Sequence, residues 1–271
     1  MGTTDEHGSL LVAWQLDGRT VLIVGGGEVA SGRIENVLAA GASITLVCPA
    51  AGLHPLTKDF LTRSTRITHR DRNFELPDLD GVDMVLTAID DVDVSRAIGT
   101  QCRERRIPVN VADDPSYCDF YFGSQIRRGP LQIMVSTNGK GPKLANIIRK
   151  RIEDAVPEGA GDAIVKTGTL RERLKERAPG VGGDVGRRRM RWMINLCNQW
   201  DMDDLARLEE DQMDRLLDEG WENNRVPSST EIGLSRAPSR TSTTTLSSQV
   251  SAGVGLAIFA LGALCGWYTR P

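Results

Sequence analysis

The chain is poor in histidine: His7, His54 and His69 are the only three, and none follows His69, which excludes a histidine-based metal site in the second half. His54 and His69 stand singly on expected loops and read as surface groups. Paired cysteine is also missing. Cys48, Cys102, Cys118, Cys197 and Cys265 are scattered with no CxxC spacing, and no secretory leader precedes them, so a reducing compartment is expected, with each thiol a small buried hydrophobe. A large excess of either charge is absent as well: 33 Lys and Arg against 36 Asp and Glu leave a net charge of -3. That balance excludes nucleic acid as the main partner. What is present is enough apolar material, 40% of 271 residues, for two modest domains.

From Arg19 the chain is orderly. "TVLIVGG" is a continuous β-rich apolar run, "EVASGRIENVLAAG" has helical spacing and "SITLVCP" is a second apolar run, which together make one βαβ unit. "VDMVLTAIDD", "IPVNVADD" and "GPLQIMVSTNG" read as further strands, and "DVSRAIGTQCRERR" as a helix with its cations in the last turns. The expected fold is α/β: a Rossmann-like, doubly wound parallel sheet from about Thr20 to Gly139, in a domain of residues 1–140. Residues 141–222 read as a helical region, in which "PKLANIIRKRIEDAV" carries Leu144, Ile147, Ile148 and Ile152 on one face. A Ser/Thr/Pro-rich stretch, 223–249, reads as a flexible linker. Residues 250–268 are uncharged and long enough to approach the hydrocarbon thickness, so a C-terminal tail anchor is expected, with a buried core helix as the alternative. The anchored protein would keep its catalytic part in the cytosol.

Gly25, Gly27 and Ala30 form G-x-G-x-x-A between a strand and a helix, the dinucleotide fingerprint. Gly25 is expected to make the tight turn, Gly27 to admit a pyrophosphate at the helix start beside Glu28 and Val29, and Ala30 to pack the helix closely. The second strand ends in Cys48 and Pro49, without the acid that often binds ribose hydroxyls and without an Arg for a 2′-phosphate. NAD is therefore expected over NADP, with backbone around Cys48 and Pro49 at the ribose. Thr87 and Ala88, on the same carboxyl edge, are expected to line the nicotinamide side. The alternative is a glycine turn in a Rossmann-like domain that holds no cofactor.

"NVADDPSYCDFYFG", Asn110 to Gly123, ends an apolar run in two carboxylates and follows them with aromatics. Read locally, Asp113 and Asp114 are caps or turn formers before Pro115. Together with the glycine turn and "STNGKGPKLANIIR", however, this stretch resembles the siroheme synthase family, in particular its stand-alone bifunctional branch, precorrin-2 dehydrogenase and sirohydrochlorin ferrochelatase. The resemblance covers about Leu11 to Val156 and runs more loosely to Trp221.

The resemblance implies that NAD⁺ takes hydride from precorrin-2 and that Fe²⁺, a substrate rather than a resident metal, is then inserted into sirohydrochlorin. It implies that Asp113, closing the "NV-x-D" strand end, is general base for both steps, leaving Asp114 to the turn. Asn110 and Phe120 become candidates for substrate contact, with Tyr117, Tyr121 and Phe122 as further macrocycle walls. The polycarboxylate substrate calls for cations, for which Lys140, Lys143, Arg149, Lys150 and the run Arg187 to Arg191 are candidates. A homodimer is implied, with the helical region completing the partner's cleft. No permanent protein-bound metal is expected. Two other readings stay open: a dehydrogenase without chelatase activity, and a non-catalytic NAD-binding module tethered to a membrane.

Overall fold

A computed structural model of the protein describes residues 8–234. Five strands, β1 (Thr20–Val24), β2 (Ser43–Val47), β3 (Ile67–Arg70), β4 (Met84–Thr87) and β5 (Val109–Val111), form a wholly parallel sheet in the order β3-β2-β1-β4-β5. The chain starts in the middle, steps outward twice, then returns to the other side of β1. The connections leaving β1 and β4 therefore run to opposite faces of the sheet and leave a crevice between the carboxyl ends of those two strands.

A sheet buried on both faces must be apolar on both, which is why β1 reads as an unbroken run. One face packs Val21, Ile23, Ile44, Leu46 and Leu86 against Ala30, Ile34 and Val37 of α1 (Glu28–Ala39). The other packs Leu22, Val24, Val85, Val109 and Val111 against Ile98 and Cys102 of α3 (Val92–Glu104). Between β2 and β3 runs α2 (Pro55–Arg63), whose N-terminus His54 caps by accepting from the Leu56 amide. Asp91 caps α3 through the Val94 amide at 3.0 Å.

The expected sheet does not continue to Gly139. β6 (Ser124–Arg128) and β7 (Leu131–Val135) form a separate antiparallel hairpin. Only Gly129 and Pro130 connect them, with Gly129 at φ +56, and so short a turn permits antiparallel pairing alone. Against the hairpin lies α4 (Pro142–Ala155), the helix expected from its spacing. Arg128 ties the two together by donating to the carbonyls of Glu153, Val156 and Pro157 at 3.0, 2.6 and 2.9 Å, which satisfies the orphan acceptors at the end of α4.

The C-terminal core is built from α5 (Ala160–Arg177), α6 (Gly183–Gln199), α7 (Met202–Ala206), α8 (Glu210–Arg215) and a π-helical turn, Leu216–Trp221. The helical region expected here is interrupted at Trp200, whose backbone is extended. Leu170, Leu174, Trp192, Leu196, Trp200, Leu208 and Leu216 are buried together. The expected linker also needs correction at its start: Ile232 and Leu234 are buried in this core. The reason is polar as well as apolar. Buried indole N–H groups need acceptors, and Trp192 and Trp200 find them at the carbonyls of Arg225 and Pro227, at 2.7 and 2.9 Å. The rest of the expected linker and the apolar segment 250–268 lie outside the described residues. Among the described residues no helix is long and apolar enough to cross a membrane.

Candidate functional site

The glycine turn after β1 divides its labour. Gly25 adopts φ +110, and a Cβ there would lie 2.1 Å from the Ala88 carbonyl oxygen, so β1 and β4 approach as closely as backbone allows. Gly26 is packed from below: a Cβ would meet Cys48 Sγ at 2.7 Å and Leu53 Cδ2 at 2.9 Å. Its carbonyl accepts from the His54 amide at 2.8 Å and from Thr57 Oγ1 at 2.9 Å, which fixes the following peptide. Gly27 is different. A Cβ there would meet nothing within 4 Å, and Gly27 is the N-cap of α1 without a side-chain cap.

The first amides of α1 thus have no side-chain cap, there is room beside Gly27, and they stand at the positive end of the helix dipole. This arrangement fits a dinucleotide pyrophosphate, with Gly27, Glu28, Val29 and Ala30 on the cradle. Glu28 and Val29 are exposed, while Ala30 is buried against the sheet. Thr87, at the end of β4, is 2% exposed and its buried Oγ1 has no hydrogen-bond partner. Ala88 follows it and donates its amide to the Val24 carbonyl. The glycine turn, Cys48, Pro49, Thr87 and Ala88 are therefore brought to one carboxyl edge.

At the end of β2, Cys48 is buried and its Sγ lies 3.7 Å from His69 Nε2. Burial first, and the Asp71 charge second, push its thiol pKa up, so it stays protonated packing material. The acid that β2 lacks is provided from beyond β3: Asp71 Oδ1 accepts the Ala50 amide at 2.6 Å and fixes the loop after Pro49. Thr57 and Asp71 carry no sequence signal of their own; only the tertiary contact identifies them. His69, expected on a surface loop, is on β3 and bonded to the Cys48 carbonyl at 2.9 Å.

The carboxylate pair after β5 separates into unlike members. Asp114 binds Arg96 Nε at 2.7 Å and accepts from Ser116 Oγ at 2.5 Å; these bonds, the serine's first, hold its pKa below the usual value. Asp113 adopts φ +59, a left-handed conformation uncommon for a residue with a side chain, and it is exposed. Asp119 closes the edge by accepting the Val109 amide at 3.0 Å. Asn110 is 4% exposed; its Nδ2 donates to the Phe120 carbonyl at 2.8 Å, and its Oδ1 has no partner.

The aromatics divide in the same way. Tyr117 packs under α3, near Gly99 and Val111, with Arg96 and Arg103 over its ring, and so belongs to the core rather than to a ligand wall. Phe120 and Phe122 pack with ring centroids 5.8 Å apart and planes tilted by 57° on the α1 side of the sheet. Arg33 of α1, which no motif singles out, covers Phe122 at 3.8 Å.

The expected substrate cations are not gathered in this crevice within one chain. Lys140 and Lys143 are exposed around the start of α4, and Arg149 pairs with Glu153 on the helix itself. In the basic run of α6, Arg188 covers the Trp221 ring and donates to its carbonyl, while Arg189 donates to the carbonyls of Ala178 and Gly180. Those two arginines serve the helical core. Among the described residues no cluster of three or more His, Cys, Asp or Glu side chains is placed to hold a metal ion.

Comparison with known proteins agrees with this geometry. A family described as putative NAD(P)-binding matches residues 12–124, the sirohaem biosynthesis protein central region matches 128–155 and its C-terminal region matches 157–227. The siroheme biosynthesis protein met8 of Schizosaccharomyces pombe is 51% identical over 228 residues, which is 83% of this chain and 84% of that protein. The siroheme synthase of Methylobacillus flagellatus is 40% identical over 169 residues, 62% of this chain and 36% of the bacterial protein. Among solved structures, SirC, precorrin-2 dehydrogenase, superposes with a TM-score of 0.58 at 24% identity, covering 78% of this chain and 98% of that one.

Proposed function

The chain belongs to the siroheme biosynthesis protein family, and from that premise we propose that it is an NAD-dependent precorrin-2 dehydrogenase that also inserts Fe²⁺ into sirohydrochlorin. The supporting observation is one juxtaposition: the uncapped start of α1 at Gly27 and the left-handed turn at Asp113 stand on the same carboxyl edge of one sheet.

NAD⁺, when bound, supplies the hydride acceptor. The chain's own work is to bind, orient and take protons. Gly27, Glu28, Val29 and Ala30 hold the pyrophosphate through backbone amides, and the pinned Gly26 carbonyl keeps those amides aimed. Backbone at Cys48 and Pro49 meets the ribose, and Thr87 and Ala88 meet the nicotinamide side. Oxidation of the macrocycle removes a hydride and a proton, and Asp113 takes the proton. In metal insertion the pyrrole nitrogens lose their protons as they become ligands to Fe²⁺, and the same carboxylate receives them. Asp114, already engaged with Arg96 and Ser116, is unsuited to that role. Asn110 and Phe120 line the substrate side.

Lys140, Lys143 and Arg149 reach substrate carboxylates across a homodimer in this reading. Its support is the apolar surface one protomer leaves uncovered: Leu144, Ile147 and Ile148 on α4, Met190 and Ile194 on α6, and an open cavity of about 1130 Å³ between α5 and α6. The tail anchor rests on the uncharged sequence of residues 250–268 alone.

Asp113→Asn tests the reading. NADH formation from precorrin-2 and metal insertion into sirohydrochlorin are each expected to fall about 10²- to 10⁴-fold, with NAD⁺ affinity unchanged. Loss of the first activity alone would leave a dehydrogenase whose chelation uses another base. Full retention of both would remove Asp113 from the chemistry.

A further inference from the structure

Arg33 stands in the middle of α1, half-buried, with its guanidinium 3.8 Å from the Phe122 ring centroid. Stacking on a ring face leaves the edge of the guanidinium, where its N–H donors project, available. Among the described residues its side chain makes no ion pair, and no unprinted partner is attributed to it. Burial lowers its pKa from the usual value, and the one carboxylate whose charge acts back on it is Asp113. A desolvated cation of this kind is a costly feature unless an anion completes it.

The neighbours give that anion a setting. The Phe122 ring packs at a tilt against that of Phe120, and Phe120 is bound through its carbonyl to Asn110, whose buried Oδ1 has no protein donor. Arg33 over Phe122, Phe122 beside Phe120, and the charge of Asp113 acting on Arg33 thus set an N–H fork, an aromatic surface and a carboxylate close together. A ligand that satisfies all of them is flat, carries donor N–H groups and bears carboxylates. A nucleotide phosphate is the competing anion, but the cradle for it is at Gly27. Six residues of helix separate Gly27 from Arg33, about 9 Å along the axis, and the arginine is directed toward Phe122 rather than the first turn.

We infer that Arg33 binds a peripheral carboxylate of the tetrapyrrole and so sets the macrocycle against Asp113. The inference rests on the dehydrogenase reading and adds to it a specificity residue that acts on the substrate and not on the cofactor. The bidentate N–H fork fits a carboxylate, and Phe122 holds the fork flat, so lysine replaces it only in part.

The test uses the full chain as wild type, Arg33→Met and Arg33→Lys, titrated separately with NAD⁺ and with sirohydrochlorin. Arg33→Met is expected to weaken sirohydrochlorin binding about 10- to 100-fold and to leave NAD⁺ affinity within about twofold. Arg33→Lys is expected to fall between, and turnover of precorrin-2 to show the loss chiefly in KM. The methyl ester of sirohydrochlorin, its carboxylates masked, is expected to bind wild type and Arg33→Met alike. Retained NAD⁺ binding certifies that each variant is folded. Unchanged sirohydrochlorin binding in Arg33→Met would overturn this inference alone, as would an equal loss for NAD⁺ in a variant that melts at the wild-type temperature. Failure of the wild-type chain to bind sirohydrochlorin would overturn the dehydrogenase reading and this inference with it.

Discussion

The two turns that border the crevice are built on opposite terms. The turn after β1 is over-determined: Gly25 and Gly26 have backbone or side chains where a Cβ would go, and the Gly26 carbonyl is held by two donors. The turn after β5 is held by its flanks, Asp114 to Arg96 and Asp119 to Val109, while Asp113 between them is exposed in an uncommon conformation. A cofactor cradle works by presenting rigid backbone, whereas a proton acceptor needs a side chain that can meet its partner. The contrast teaches that the first turn tolerates almost no change in shape, whereas the second tolerates shape change and, on the proposed reading, needs its carboxylate.

The largest expected effect comes from Gly25→Ala. A methyl group cannot share space with the Ala88 carbonyl, and φ +110 is strained for alanine, so a stability loss of about 3 kcal/mol or more is expected in a denaturant titration. A wild-type midpoint would show that the turn is not over-determined.

Away from both turns, the buried Asp78 supplies the rigidity of the β3 side. It binds Arg70 and Arg72 and accepts the Glu75 amide, and these bonds, Arg72's first, bring its pKa down to about 2. A depressed carboxylate contributes stability that is present above its unfolded value, roughly 3.9, and is lost as pH falls through the folded value. Asp78→Asn is therefore expected to cost about 2 kcal/mol at neutral pH and to flatten the loss of stability between about pH 4 and pH 2. A variant with an unaltered acid limb would assign that limb to other carboxylates.

Gly27→Ala sharpens the comparison within a single loop. Its φ of -73 is ordinary and the added methyl meets no protein atom, so the stability loss should be only about 1 kcal/mol, the margin by which alanine is poorer than glycine as an N-cap. The same methyl enters the cradle, and NAD⁺ binding should weaken about tenfold or more, roughly 1.4 kcal/mol, in a titration with the folded variant. Equal effects of Gly25→Ala and Gly27→Ala on stability would remove the distinction between packing and cradle.

The smallest effect is the most diagnostic. Asp113→Gly relieves a left-handed residue, so the melting temperature should stay level or rise, by no more than about 1 kcal/mol of stability, even as activity is lost. A marked drop in stability would make Asp113 a structural turn residue.

Much of this is legible in the sequence. Unbroken apolar runs and a glycine turn between strand and helix identify the parallel sheet and its cofactor edge, because such signals are local. The β6–β7 hairpin was less so. "SQIRR" buries only Ile126 and carries cations, and the short Gly129-Pro130 turn was the signal that pairing would be antiparallel. The segment 223–234 looked like linker because its composition is polar, yet Trp192 and Trp200 recruit its carbonyls. Composition does not reveal what a distant indole requires.

By itself, then, the sequence determined the order of elements, the turn able to admit a pyrophosphate and the carboxylate ending β5, since each depends on neighbours a few residues away. Tertiary structure alone decided that Gly27 is the open glycine, that Asp114 and not Asp113 is paired, and that Arg33 of α1 meets Phe122 beyond β5. Those outcomes depend on distance between segments remote along the chain, and on which charges burial leaves without a partner.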